Sequence, residues 1–144
     1  MKHGASFPTT EIGNDVAEIR AFAAGVEALG FDYLTCIDHV VQAAEPVADD
    51  WRAYYTRDHP FHEVTVLFGY LAALTTRIEL ATAILILPQR PTALVAKQFA
   101  ELDVLSAGRI RAGVGIGWNE VEFDALGHDF STRAARMEEQ MELL

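Results

Sequence analysis

The sequence predicts an α/β fold, organised as the N-terminal (β/α)₄ half of a (β/α)₈ TIM barrel. Short apolar strands alternate with amphipathic helices, a pattern typical of a parallel sheet with helical crossovers. Four such units are half of a barrel, whose full length is about 250 residues. The chain also stops at Leu144 within a helical pattern, which predicts a portion of a longer chain. A self-contained four-strand α/β domain is the alternative.

The first repeat is marked by clear helix signals. A strand near residues 3–7 precedes a helix that begins after Asn14 or Asp15, whose side chains can accept hydrogen bonds from free backbone N–H groups. Apolar residues then recur every three or four positions and lie on one helix face: Val16, Ile19, Phe22, Val26 and Leu29. Gly30 follows as the residue that ends the helix. Residues 33–37 form the next short, buried strand.

The later segments continue the alternation. Residues 40–61 show no period and predict a long loop, which at this length is usually functional or mobile. Helical spacing returns over residues 62–76, and residues 78–87 are almost continuously apolar, as expected of a strand buried on both faces. The pattern ends with a helix from Pro91 to Leu105 stopped by residues 106–108, a strand over 109–116, and a helix capped by Ser131 or Thr132.

The composition describes one acidic globular domain. Of the 144 residues, 51% are hydrophobic and the formal net charge is −10, which disfavours nucleic acid and anionic membranes as partners. The apolar stretches are shorter than the roughly 20 residues that span a bilayer, and the N-terminus lacks an apolar signal segment. The single cysteine, Cys36, favours a reducing compartment. We therefore expect a soluble, cytoplasmic protein.

Asp38 and His39 carry the strongest chemical signal. They follow a predicted strand directly, and barrel enzymes place catalytic groups at the carboxyl ends of strands. A histidine there can transfer protons near neutral pH, and the neighbouring carboxylate can support its charged form. A helix-capping or loop-anchoring pair is the alternative interpretation.

Alternating glycines mark the end of the last predicted strand. Gly113, Gly115 and Gly117 do not match the dinucleotide-binding fingerprint, because the position of its third glycine holds Trp118 or Glu120. Glycines at a strand end either let a flat ring approach the backbone or form a tight turn into a helix. The spacing alone leaves both interpretations open.

The other candidate groups favour structural roles. His59 and His62 lack the four-residue spacing of a helical zinc motif, so we expect no metal site there. Cys36 has no second cysteine nearby and is interpreted as a small buried residue rather than a nucleophile.

Several short runs along the chain carry a family resemblance; they are residues 30–33, 38–41, 76–82, 87–91, 96–98, 102–109 and 113–123. Together they resemble the bacterial luciferase-like family of flavin- and deazaflavin-dependent oxidoreductases. The Leu-Asp-Val-Leu-Ser-Ala-Gly-Arg run that ends at Arg109 and the Gly-Trp-Asn-Glu run that begins at Gly117 are jointly specific. The resemblance covers nearly the whole chain, and it is closest to the branch that uses coenzyme F420, a 5-deazaflavin.

The resemblance implies a luciferase-like TIM barrel whose cofactor ring lies across the carboxyl ends of the strands. A non-prolyl cis peptide on the third strand contacts the ring in this family and corresponds to Ala83–Ile84, where many relatives have Gly or Ser in place of Ala83. His39 corresponds to the residue used for proton transfer or substrate orientation. The implied ring contacts are Asp38, His39, Ala83, Ile84, Gly115, Gly117, Trp118 and Asn119. The family's phosphate-binding groups lie mostly in the second half of the barrel.

The expected function is therefore hydride transfer between coenzyme F420 and a small organic substrate, with His39 moving the accompanying proton. An FMN-dependent monooxygenase that uses O₂ is the alternative on the same fold. A non-catalytic half-barrel that self-associates without cofactor is the alternative of another class. We expect a homo-oligomer, because the half-barrel formed by these residues leaves two sheet edges open.

Overall fold

The computed structural model describes residues 1–44 and 55–144, and in these two ranges strands and helices alternate. The helices are α1 (Val16–Ala28), α2 (Val64–Leu74), α3 (Thr92–Ser106), α4 (Glu120–Ala125) and α5 (Arg133–Leu143). The strands are β1 (Gly4–Ser6), β2 (Tyr33–Cys36), β3 (Glu79–Thr82), β4 (Leu85–Ile86), β5 (Ile110–Arg111) and β6 (Val114–Gly115). The middle of the predicted loop 40–61, residues 45–54, lies outside the described residues.

Within the described ranges, the strands pair in parallel throughout. β1, β2, β3 and β5 form one sheet in that order, and β4 pairs with β6 in a second, smaller one. Leu34 lies opposite Leu80, and Leu80 lies opposite Ile110. The predicted parallel α/β architecture is confirmed, and the carboxyl ends of all the strands point to the same side.

Two strands that the sequence predicts as continuous are each divided. The run 78–87 is interrupted between Thr82 and Leu85, where the Ala83–Ile84 peptide is cis. The run 109–116 is interrupted next to it, before Val114. The two interruptions are joined through the Gly113 carbonyl oxygen, which accepts hydrogen bonds from the Leu85 N–H at 2.8 Å and the Thr82 hydroxyl at 2.7 Å. The continuous apolar pattern of residues 78–87 therefore does not reveal where the strand is interrupted.

The helix ends agree with the predictions at α1 and α3 and differ at the C-terminal helices. Asp15 caps α1 by accepting from the backbone N–H groups of residues 17 and 18, and α3 ends where Ala107 and Gly108 have positive φ. Thr132 precedes α5, but its side chain makes no cap bond. Asp129 instead accepts from the Ser131 N–H at 2.8 Å, before a 3₁₀ turn. The short helix α4 was not predicted.

Arg109 fastens the end of α2 to the sheet. Its guanidinium donates to the carbonyl oxygens of Ala72, Thr75 and Ile78 at 2.9–3.1 Å, and its Nε donates to the Ser106 carbonyl at 2.7 Å. The bonds to Ala72 and Thr75 satisfy carbonyl groups that the end of α2 would otherwise leave without partners. The core that this arrangement closes lies between the sheet and helices α1–α3. Among the described residues, no helix has the length and apolar character required to cross a membrane.

Candidate functional site

A cavity of about 180 Å³ opens at the carboxyl ends of β2, β3 and β6. Its lining includes six of the residues that the sequence predicts for the site: Asp38, His39, Ala83, Ile84, Gly117 and Trp118. The turn after β2 supplies the first pair, the interruption between β3 and β4 the second, and the turn after β6 the third. Parallel pairing therefore brings together residues that are about 80 positions apart in the sequence.

His39 is held by the carboxylate of Glu122, which the sequence motifs do not predict as a site residue. Its Nδ1 lies 3.0 Å from Oε2 of Glu122, and the His39 and Glu122 side chains are 6% and 0% exposed. The other oxygen, Oε1, accepts hydrogen bonds from the backbone N–H groups of Val40 and Val41. Burial raises the pKa of Glu122, but the hydrogen bonds from His39 and Val40 outweigh burial and hold this pKa below its usual range.

Asp38 does not support His39, which corrects the expectation from sequence. Its Oδ1 accepts from Arg90 at 2.7 Å and its Oδ2 accepts from the Ile86 N–H at 2.9 Å. Burial raises the pKa of Asp38 above its usual value, and the charge of Arg90 offsets this only in part. The reason for the difference is that both Asp38 oxygens are engaged by Arg90 and the Ile86 N–H, so the carboxylate is directed toward β4 and the segment that follows it. Asp38 thus joins the turn after β2 to β4.

Aromatic rings surround the imidazole of His39. The ring centroids of Phe61, Tyr55 and Trp118 lie 5.0, 5.2 and 5.9 Å from its own. Tyr55 and Phe61 also contact each other edge to face, with centroids 5.0 Å apart. The imidazole is therefore packed against aromatic rings on several sides, and its Nδ1 pairs with the Glu122 carboxylate.

Gly113, Gly115 and Gly117 lie so close to the neighbouring β3–β4 segment that a side chain at any of them would meet it. A Cβ at Gly113 would lie 2.3 Å from the Thr82 carbonyl oxygen, and one at Gly115 would lie 2.6 Å from Cδ1 of Ile84. Gly117 has a φ of +75°, and a Cβ there would lie 2.6 Å from Cγ2 of Ile86. Of the two interpretations left open, Gly117 fits the turn. Gly115 does not line the cavity, and the side chain of Ile84 fills the space next to it.

Asn119 is the other predicted ring contact that does not line the cavity. It is 2% exposed and occupies the N-cap position of α4, but its side chain makes no cap bond. Its Oδ1 is buried without a hydrogen-bond partner in the described parts of the chain. Asn119 therefore lies outside the cavity lining, three residues before Glu122.

The remaining candidate groups have structural surroundings. His59 accepts from the Thr56 N–H at 2.9 Å, and His62 Nε2 lies 3.3 Å from the Gly13 carbonyl oxygen. Cys36 is 1% exposed, and burial raises the pKa of its thiol to about 11. That thiol is protonated at neutral pH, in agreement with the interpretation as a small buried residue.

Glu122 could have been found from one signal in the sequence. Asn119-Glu120-Val121-Glu122 has the pattern of a capping box, in which an N-cap residue is followed three positions later by Glu. That pattern predicts the start of α4. The carboxylate of Glu122 then points to His39 instead of the N-cap backbone, which the pattern alone does not reveal.

Comparison with known proteins places these features in a family. Residues 1–144 match the family model described as luciferase-like monooxygenase. An uncharacterized protein of Mycobacterium tuberculosis is 34% identical over 147 residues, a match that covers 96% of this chain and 50% of the relative. The chain thus spans about half the length of these curated mycobacterial relatives.

Solved structures with the same fold bind two kinds of cofactor. The oxygenating constituent of the 3,6-diketocamphane monooxygenase of Pseudomonas putida, in complex with FMN, gives a TM-score of 0.76 at 18% identity, over 99% of this chain and 38% of that one. An F420-dependent secondary alcohol dehydrogenase, in complex with an F420–acetone adduct, gives a TM-score of 0.74 at 22% identity, over 99% and 41%. At these identities the likeness concerns the fold.

Proposed function

Because the chain belongs to the luciferase-like monooxygenase family, we propose that it forms part of an oxidoreductase that transfers a hydride between coenzyme F420 and a small organic substrate. One observation carries the proposal: His39, Ala83, Ile84 and Trp118 line a single cavity at the carboxyl ends of the strands. The motif runs between residues 30 and 123 favour the F420 branch, and a solved structure of similar fold holds F420. We propose the cytoplasm as the compartment, because the chain has a single cysteine.

The residues at the cavity mouth fit a planar, largely apolar ring. Ile84 and Trp118 are 39% and 44% exposed there, although side chains of this kind are usually covered. A ring lying against them would bury this apolar surface. Ala83, Ile84 and Trp118 would hold the ring of a bound deazaflavin or flavin, and Gly117 would leave its approach free of a side chain. When bound, such a cofactor supplies a ring that accepts a hydride from the substrate or donates one to it.

His39 is the residue of this chain that moves a proton in the proposed reaction. When the substrate loses a hydride from carbon, His39 takes the proton from its hydroxyl oxygen; in the opposite direction it returns the proton to the carbonyl oxygen. The rings of Tyr55 and Phe61, which pack against His39, favour a substrate with apolar surface.

FMN-dependent monooxygenation with O₂ is the second candidate, since a solved structure of similar fold contains FMN. The non-catalytic half-barrel is the candidate of another class. A measurement of which cofactor binds distinguishes these three candidate functions.

The test is a titration of the protein expressed from the complete reading frame with F420 and, separately, with FMN. We expect F420 to bind more tightly. Trp118→Ala should weaken binding by about tenfold, equivalent to ~1.4 kcal/mol, whereas Ile116→Ala should not, since Ile116 is similarly exposed but does not line the cavity. Tighter FMN binding together with O₂ consumption would establish the second candidate. Binding of neither cofactor would establish the third.

A further inference from the structure

We propose that Glu122 is a positioning residue that fixes the tautomer of His39, so that Nε2 is the nitrogen that exchanges a proton with the molecule in the cavity. The proposal rests on the function proposed above, because it gives His39 a proton to move. It concerns a residue outside the cavity lining and on a different element, the first turn of α4.

The geometry defines which nitrogen carries hydrogen. Oε2 of Glu122 lies 3.0 Å from Nδ1 of His39, and an ionised carboxylate only accepts hydrogen bonds. Nδ1 must therefore be the donor, and in the neutral imidazole Nε2 then carries the lone pair. A proton that reaches or leaves the ring at the cavity must do so at Nε2.

Glu122 is itself held firmly. Its Oε1 accepts from two successive backbone N–H groups, those of Val40 and Val41, which directly follow His39. The carboxylate thus binds both the ring and the backbone that carries the ring. Hydrogen bonds of this kind favour the charged form of a buried carboxylate, which keeps the acceptor ionised at neutral pH.

In the described parts of the chain, Asp38, Glu63 and Glu120 are not placed to replace it. The Asp38 oxygens accept from Arg90 and from the Ile86 N–H. Glu120 lies on the same helix but is exposed. Glu63 accepts from Arg90 at 2.9 Å and from the Val66 N–H at 2.8 Å. Loss of the Glu122 charge should therefore leave the tautomer of His39 unspecified.

The first experiment observes the tautomer directly. We would label histidines with ¹⁵N, record long-range ¹H–¹⁵N correlations at a pH where imidazoles are neutral, and identify His39 by its loss in His39→Gln. The wild type should show hydrogen on Nδ1. Glu122→Gln should give a mixture of both tautomers, because its amide can either accept or donate, and Glu120→Gln should leave the spectrum unchanged.

A wild-type spectrum with hydrogen on Nε2 would overturn the proposal, and this holds even if the Glu122 variant fails to fold. An unchanged tautomer in a folded Glu122→Gln protein would overturn it as well. Neither result depends on cofactor binding.

The second experiment measures turnover. Glu122→Gln should lower kcat by roughly ten- to a hundredfold, by analogy with the loss of carboxylates that orient metal-bound histidines, with little change in KM. Glu122→Asp should restore part of the loss, because it retains an acceptor charge. A tautomer that changes while kcat does not would refute the positioning role. If the wild type has no turnover with any cofactor, the proposed function fails while the tautomer result still decides what Glu122 does.

Discussion

The Glu122 carboxylate lies 3.0 Å from the imidazole of His39, although 83 positions separate the two residues in the sequence. The contact joins the turn after β2 to the first turn of α4, and it is buried at both ends. His39 lines the cavity, whereas Glu122, whose carboxylate holds Nδ1 of His39, does not. This arrangement separates two tasks, since one ring nitrogen is held while the other is left for chemistry.

Replacement of His39 tests the proposed proton transfer. We expect His39→Ala in the protein from the complete reading frame to lower turnover by about 10²–10⁴-fold, the usual effect of losing a positioned acid or base. Cofactor affinity should change much less, because the family's phosphate-binding groups are expected outside this chain. Turnover is followed by cofactor absorbance, with a cofactor titration in parallel.

His3→Ala is the control for that experiment, because His3 is exposed at the start of β1. Turnover of His39→Ala within a few-fold of the wild type would remove His39 from the mechanism. Loss of cofactor binding would instead make His39 a residue that positions the ring.

The close approach of the interrupted strands predicts the effect of adding a methyl group at Gly113. A Cβ there would lie 2.3 Å from the Thr82 carbonyl oxygen, which is backbone and cannot move aside. We expect Gly113→Ala to lower the free energy of unfolding by about 1–3 kcal/mol, as overpacking does. Chemical denaturation measures this change.

Gly25→Ala is the matched control, because Gly25 lies within α1 and a Cβ there meets no atom within 4 Å. It should raise stability by about 0.5–1 kcal/mol, since alanine loses less backbone freedom in a helix. A Gly113→Ala protein as stable as the wild type would show that the two strands can move apart.

Arg109 should be replaceable by lysine only at a cost. Lysine carries a single ammonium group and cannot reach the carbonyl oxygens of Ala72, Thr75 and Ile78 together. Because hydrogen bonds that involve a charged group contribute about 1.5–3 kcal/mol, we expect Arg109→Lys to lower the free energy of unfolding by about that amount.

Arg111→Lys provides the comparison for Arg109→Lys in the same denaturation experiment. The Arg111 side chain is 54% exposed and pairs with Glu79, and exposed ion pairs contribute about 0–1 kcal/mol. Equal stability of the two variants would mean that the carbonyl network does not hold α2 in place.

Glu27 should make stability depend on pH. Its carboxylate accepts from the backbone N–H groups of Thr76, Arg77 and Ile78. Burial raises the pKa of Glu27, but these hydrogen bonds outweigh it and lower the pKa below its usual range. A carboxyl whose folded pKa is depressed stabilises the protein above its unfolded pKa of about 4.3, and that contribution is lost as the pH falls through the folded pKa.

We therefore expect Glu27→Gln to be less stable than the wild type at pH 7 and to lose less stability than the wild type on acidification. Thermal unfolding measured across the acidic range tests this. The control is Glu139→Gln, because Glu139 is exposed on α5. Parallel stability curves for wild type and Glu27→Gln would contradict the assignment.

The sequence predicts the order of elements well and the fine structure of the site poorly, for physical reasons. Hydrophobic periodicity reports which residues face the core, so the alternation of strands and helices is evident from it. It does not report backbone direction, and the break between Thr82 and Leu85 lies inside an apolar run. The cis peptide at Ala83–Ile84 was located through a family resemblance and not through periodicity.

Contacts in the site between residues that are far apart in the sequence are harder to predict. The proximity of Asp38 to His39 in sequence suggested a pair, yet Asp38 binds Arg90 and Ile86 instead. The partner of His39 comes from α4, a helix of Glu120–Ala125 too short to display a period. Which side chains pair across a parallel sheet depends on which strands become neighbours. The spacing of residues within one segment of the sequence does not reveal that order.

The open sheet edges and the exposed end of α3 should make the chain associate. In the sheet formed by the described residues, β1 and β5 lie at the edges, and open edges favour pairing with another chain. Val104 and Leu105 at the end of α3 are 76% and 64% exposed. We therefore expect the 144-residue chain, expressed alone, to form oligomers or to bind a hydrophobic dye. Sedimentation velocity over a range of concentrations, with dye fluorescence on the same samples, measures both properties. A compact monomer that binds no dye would contradict this expectation and favour a self-sufficient α/β domain.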